Sequence, residues 1–177
     1  YIEETGRAQH YRDVRIMTIF EGTTGIQGLE LAGRKTLSDK GAAIGDLLDE
    51  IQVTADEMSA VESLSGMSAE LAKAVQSGRE TLKWVLENAM QDRNAVGAAS
   101  VNYMMLMGYL CGGWIMGRSA LKASEVLESG DGEAAFMKSK IITSQFYFDH
   151  LLPRTASYLS AVLAGSDSMM ALDESQF

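Results

Sequence analysis

The chain has 177 residues, a net charge of -9 and a hydrophobic share of 46%, enough for one or two domains with a buried core. The acidic balance argues against nucleic acid, whose phosphates are held by lysine and arginine, and favours solubility. A single cysteine, Cys111, excludes an internal disulfide framework and a cysteine zinc site, and fits the cytoplasm.

Tyr1 falls in mid-pattern with no initiator Met, so the sequence reads as a piece of a longer protein and its lack of a leader carries no information. Tyr11, Val14, Ile16 and Ile19 are the apolar members of a first helical pattern that runs into Glu21-Gly22. A second helix is predicted almost at once. Thr24 and Gln27 have capping-box spacing, in which the Thr24 hydroxyl takes the Gln27 amide and the Gln27 side chain reaches back. Gly22 and Gly25 permit a tight turn and close approach of a ligand. The second helix carries Ile26, Leu29, Leu31 and Ala32 on its apolar side. It is predicted to close at Gly33, with Arg34 and Lys35 where the dipole favours cations. Glu21 then stands on a sharp corner beside free amides at the positive end of a helix. Spacing alone also fits an ordinary solvated glutamate in a helix-loop-helix turn.

One proline and long 3.6-residue periodicities predict an all-α chain. Ser38-Asp39 caps a third helix with Ile44, Leu47, Leu48, Ile51, Ala55 and Met58 on one face. Residues 63–68 form a turn. Leu71, Val75, Leu82, Val85, Leu86 and Ala89 mark a fourth helix ending near residues 92–94. From Ala95 to Gly117 no residue is charged. That run exceeds the ~20 residues a bilayer requires, and Gly108/Gly112 and Gly113/Gly117 have GxxxG spacing. Gly, Ala, Ser and Asn102 dilute it, and amphipathic helices flank it, so a central bundle helix is the reading and a membrane span is not. Residues 129–132 stop this helix, with Asp131 as the next N-cap. A last helix carries Phe136, Ile141, Ile142, Phe146, Phe148 and Leu151, is interrupted by Pro153, and continues to Leu163. Residues 167–177 read as a frayed tail. The third to sixth helices form an up-down four-helix bundle, with a weak boundary at residues 36–40 that divides the chain into 1–36 and 37–177.

Other constellations fail on spacing. A di-iron bundle site requires inward Glu-x-x-His pairs, but Arg7 precedes His10 by three and Tyr147 precedes His150 by three, so no metal site is predicted. Asp149 and His150 are adjacent and cannot form a triad unaided. There is no P-loop and no GxGxxG. Met104, Met105 and Met107 read as core filling, Tyr103, Tyr109 and Trp114 as core or interface aromatics, and Cys111 as a packing residue.

Arg12-Asp13-Val14-Arg15-Ile16, then Ile19-Phe20-Glu21-Gly22-Thr23-Thr24-Gly25-Ile26-Gln27 and Gly33-Arg34-Lys35, resemble the C-terminal signature of the acyl-CoA dehydrogenases. Glu3-Glu4-Thr5-Gly6 and Ala8-Gln9 resemble the larger bacterial members, which add a C-terminal helical domain. The strong likeness covers about the first 35 residues. It implies that Glu21 is the base that removes the α-proton of an acyl-CoA thioester, while the β-hydrogen leaves as hydride to FAD. It also implies that Gly22 lies on the substrate and that Thr23, Thr24 and Gly25 lie along the FAD.

The thioester oxygen must be polarised by fixed donors for such a proton to leave. A base of this kind works best when desolvation raises its pKa toward the working pH; burial can shift a carboxylate by several units, whereas the opposing dipole contributes about 0.3–1 kcal/mol. Two positions depart from the pattern: Phe20 stands where Tyr is usual and lacks its hydroxyl, and Gly25 stands where many relatives have Gln. The implied parent performs fatty-acid β-oxidation chemistry as a homo-oligomer and passes electrons to an electron-transferring flavoprotein. Long acyl chains and methylmercaptopropionyl-CoA are both within the resemblance, and this piece alone is expected to be inactive. The rival reading is a non-enzymatic helical scaffold or oligomerisation module that keeps the corner only as structure.

Overall fold

The computed structural model describes residues 3–20, 22–92 and 94–177, and every regular element among them is helical. In order these are α1 (Arg7–Arg15), α2 (Thr24–Leu29), a π turn (Glu30–Lys35), α3 (Thr36–Ser38), α4 (Ala42–Ser59), α5 (Ser65–Asn88), α6 (Ala95–Ser129), α7 (Ala134–His150) and α8 (Arg154–Leu163), with short 3-10 turns between some of them. The all-α expectation and the bundle of α4, α5, α6 and the α7–α8 pair are as the periodicity indicated.

The core is the set of stripes read from the sequence. Leu48, Ile51 and Met58 of α4, Met67, Leu71 and Val75 of α5, and Tyr103, Leu106 and Leu110 of α6 join one buried cluster with Phe148 and Leu152. The last of these precedes Pro153. The ring of Pro153 forbids a continuous helix, so α7 stops at His150, Pro153 caps α8, and the Leu151 and Leu152 amides both turn back to the Tyr147 carbonyl.

Helix α6 is central and packs against α2, α4, α5, α7 and α8. Its charge-free run is buried by neighbours. Gly112 lies under the Tyr147 hydroxyl, which donates to the Tyr109 carbonyl at 2.9 Å, and a Cβ there would have to displace the Tyr147 side chain. Among the described residues no helix is long and apolar enough to cross a membrane. Polar groups inside the bundle are mostly paired: the Trp114 indole donates to the Thr54 hydroxyl at 2.9 Å, and the Ser68 hydroxyl to the Ala55 carbonyl at 2.7 Å. The Thr81 hydroxyl is buried with no partner.

Several boundaries differ from the sequence reading. α5 begins at Ser65, because Met67 and Ser68 are buried and the connection shrinks to the 3-10 turn Glu62–Leu64; it ends at Asn88, a few residues early. Glu133, not Asp131, is the N-cap of α7, and its side chain caps nothing. The tail is not wholly frayed, since Asp173 and Gln176 form a capping box around a 3-10 turn. The N-cap of α4 is Gly41; Asp39, two residues before it, accepts the amides of Ala43 and Gly41 at 2.9 Å each, and those bonds hold its carboxyl below the usual range. The chain turns there through the left-handed residues Lys40 and Gly41.

Candidate active-site corner

Glu21 lies outside the described residues, so the structure speaks to its flanks. α1 stops at Arg15, short of the expected run into Glu21-Gly22, and a 3-10 turn (Ile16–Thr18) comes next. The Ile16 carbonyl takes the amides of both Ile19 and Phe20, at 3.1 and 2.7 Å, which tightens the chain and ends the helix. Arg15 bonds the Thr18 hydroxyl, and that hydroxyl bonds the Arg15 carbonyl, fastening the same turn.

The predicted capping box does not form. Thr23, extended at φ -66 and ψ 118, is the N-cap, and its carbonyl accepts the Gln27 amide at 3.0 Å. Thr24 is already helical, so its hydroxyl is one position too late to cap. The Gln27 side chain instead folds over Gly22, where a Cβ would stand 3.4 Å from its amide nitrogen and 3.3 Å from the Phe20 ring. The Thr23 side chain accepts no amide, which leaves the first-turn N–H groups of α2 without a side-chain cap from this residue. A Cβ on Gly25 would meet nothing within 4 Å, and residues 22–24 are exposed. The open space beside Gly25 leaves room at the start of α2.

The second helix does not close at Gly33. It passes through the π turn and α3 to Ser38, and its predicted apolar face holds in part: Ala32 is buried and Leu31 packs partly against the core, but the other two members do not. Ile26 and Leu29 are exposed, at 60% and 45%, whereas Gly28, Ala32 and Thr36 face α6. Gly28 rests on the α6 backbone: a Cβ there would be 3.0 Å from the Ser100 carbonyl carbon and oxygen and 3.1 Å from the Val101 nitrogen. Thr36 and Tyr103, both fully buried, share a hydroxyl-hydroxyl hydrogen bond of 3.1 Å. Burial pushes the Tyr103 phenol up, opposed by that bond. The i, i+4, i+8 spacing of small residues was the signal for this seam; a search for large apolar side chains passes over it.

Away from the corner, the other sequence candidates are separate. Asp149 accepts from Gln145 at 2.7 Å, His150 sets its ring at a tilt against Phe146, and both are exposed. His10 is exposed on α1. Cys111 is half-buried, with its thiol pushed up by burial, which suits packing rather than nucleophilic attack. Met107 is core, as expected, while Met104 and Met105 line an open groove of about 360 Å3 with Gly108, Tyr109 and Tyr147. Among the described residues no group of three or more His, Cys, Asp or Glu could hold a metal ion.

The family described as "Acetyl-CoA dehydrogenase C-terminal like" matches residues 47–173. Over 174 residues the chain is 38% identical to the 3-methylmercaptopropionyl-CoA dehydrogenase of Ruegeria pomeroyi, covering 96% of this chain and 29% of that protein. It is 31% identical over 185 residues to the broad-specificity linear acyl-CoA dehydrogenase of Mycobacterium tuberculosis, covering 100% of this chain and 30% of that protein. A butyryl-CoA dehydrogenase of Syntrophomonas wolfei is 26% identical over 188 residues, 100% of this chain and 29% of that protein. The chain thus spans about three-tenths of the length of the curated relatives it matches.

Proposed function

We propose, since the chain belongs to the acyl-CoA dehydrogenase family through its acetyl-CoA dehydrogenase C-terminal-like region, that it is the C-terminal part of an FAD-dependent acyl-CoA dehydrogenase acting on an acyl-CoA thioester. The observation that carries this reading is the extent of the likeness, which covers 96% of the chain and so takes in both the Glu21 corner and the bundle. In this reading residues 1–36 close the dehydrogenase's own helical domain and residues 37–177 form the appended bundle.

Each residue of the corner then has a role. Glu21 takes the α-proton of the thioester, Gly22 admits the substrate against bare backbone, and Thr23, Thr24 and Gly25 lie along the cofactor. Bound FAD supplies the hydride acceptor, and an electron-transferring flavoprotein reoxidises it. A cytoplasmic homo-oligomer fits the exposed face of α7, where Ile142 and Phe146 lie between Lys138 and Asp149. That arrangement is self-complementary for two antiparallel copies, with each lysine near the partner helix's carboxylate end. Phe146→Glu in the full-length parent is expected to lower its sedimentation coefficient; an unchanged value removes α7 from the interface.

The visible spectrum of the detergent-free parent tests the function. An oxidised flavin band that bleaches on adding one of a panel of acyl-CoA thioesters supports the reading. Glu21→Gln should keep the flavin and lose roughly a hundred- to ten-thousand-fold in turnover. A colourless, unresponsive parent points to the scaffold instead.

A further inference from the structure

One stretch of α6 is open to water and yet built like an interior. From Ala95 to Gly117 the helix carries no charge. Most of that run is covered, but Gly108 is exposed and Met104, Met105 and Tyr109 are only half-buried. With Tyr147 of α7 these four residues line a groove of about 360 Å3, within the range of about 300–1,000 Å3 of small-molecule clefts. Exposed helix faces ordinarily carry charged or polar side chains; here two thioethers and two rings stand in their place. Methionine is flexible and polarizable, and adapts to apolar ligands of irregular shape.

Gly108 has no explanation in the packing of the bundle. A Cβ there would meet nothing within 4 Å, and a glycine inside a helix weakens it relative to alanine. What its bare backbone provides is the space itself, because any larger residue at position 108 would stand in the groove.

The polar element is Arg154, the first residue of α8. Its Nη1 donates to the Tyr109 hydroxyl at 2.7 Å, and its guanidinium carbon lies 5.4 Å from the centre of the same ring. Tyr109 is stacked in turn on Tyr158, with 5.7 Å between ring centres, so the cation is held against a fixed surface. Burial pushes the Tyr147 phenol up, with Tyr109 and Cys111 adding to the effect, and the charge of Arg154 opposes them. The guanidinium is therefore within electrostatic reach of both tyrosines of the groove. Among the described residues no carboxylate lies within ion-pair distance of Arg154, and Tyr109 takes one of its five N–H donors. In a chain of net charge -9, a cation with an aromatic partner and no acidic one, set beside an apolar groove, is complementary to an anion with an apolar tail.

We propose that this groove binds a free alkyl carboxylate, with the alkyl chain laid over Gly108 between the methionines and Tyr147 and the carboxylate on the Arg154 guanidinium. The planar fork of arginine matches two carboxylate oxygens, and the chain displaces water from the thioethers and rings. Residues 104–109 span about 7.5 Å of helix, too short a trough for a second helix of about 10–12 Å diameter but enough for one chain of methylenes. The groove uses no residue of the corner, so the proposal goes beyond the dehydrogenase reading and does not depend on it.

The test uses the full-length parent labelled at its methionine methyl carbons, titrated with butanoate, hexanoate, octanoate and decanoate. The Met104 and Met105 signals, identified by their loss in Met104→Leu and Met105→Leu, should move, and binding should tighten by about fourfold per methylene until the groove is filled. Decanol, which has the tail without the charge, should bind roughly tenfold more weakly or worse. Gly108→Leu fills the groove where a Cβ clashes with nothing and should abolish the shifts. Arg154→Gln should bring decanoate down to the level of decanol and leave decanol unchanged. Met104 and Met105 signals that do not respond overturn the proposal, and so does decanoate that binds Gly108→Leu as well as wild type, which places the acid elsewhere. Equal binding of decanol and decanoate to the wild type overturns it too, and decides alone should Arg154→Gln fail to fold.

Discussion

Residues 3–41 and the bundle beyond them are both helical, yet they treat apolar side chains in opposite ways. In the bundle a core of large hydrophobics is enclosed, and Leu48, Ile51, Leu71, Leu106, Leu110 and Phe148 have almost no exposed surface, although α7 keeps Phe136, Ile142 and Phe146 outward. Around the corner Tyr11, Val14, Ile16, Met17, Ile19, Phe20, Ile26 and Leu29 are all exposed. Contiguous apolar exposure of this kind marks a surface made to be covered. The bundle supplies its own core, while the corner borrows most of its support from α6 and presents its remaining apolar face outward. The difference separates a region organised for stability from one organised for contact.

Paired truncations would break this comparison most directly. In the isolated chain Phe148→Ala should cost about 3–5 kcal/mol, as for large core aromatics, and lower the melting temperature by many degrees. Phe20→Ala, at 66% exposure, should change it by less than about 0.5 kcal/mol. Denaturant unfolding of the two variants checks this, and a comparable loss at both positions would mean that the corner is packed as the bundle is. A smaller effect sharpens the comparison from the other side, because the bundle core is not perfectly satisfied. Thr81→Val replaces a buried hydroxyl lacking a partner with a methyl of similar shape, and should stabilise by about 1 kcal/mol. Thermal unfolding that shows a loss instead would mean that the hydroxyl is satisfied in solution.

The bundle was legible because its signal is large: apolar residues at helical spacing, one proline at a break, and an aspartate at residue 39 that takes the Gly41 and Ala43 amides at the start of the next helix. The existence of the corner was legible too, through Gly22, Gly25 and the change of pattern at residue 20. Its details were not. Thr23 and Thr24 are adjacent and chemically alike, so the choice of N-cap turns on one residue of backbone geometry that spacing cannot resolve. The buried face of the second helix was read only in part, Leu31 and Ala32 holding and Ile26 and Leu29 not, because large residues were weighed above small ones. There backbone proximity decides burial, and Gly28 is buried for having no side chain. The continuation past Gly33 was hidden for a related reason: Gly33 has the look of a stop, but its nearest neighbour is the Val96 side chain at 3.8 Å, and the helix passes it in the wider turn. No periodicity of 3.6 announces a turn that departs from it.

The wider turn also has a consequence for how this sequence lines up with others. A helix that holds one more residue per turn can be matched to an ordinary α-helix only by leaving one position unpaired. A relative that makes this seam without the π turn should therefore align with a single-residue gap inside residues 30–35, flanked by uninterrupted matches at the Gly-Thr-Thr corner and along the Ser100 to Tyr103 stretch. Counting residues between the corner and the bundle thus distinguishes the two geometries without a structure of either.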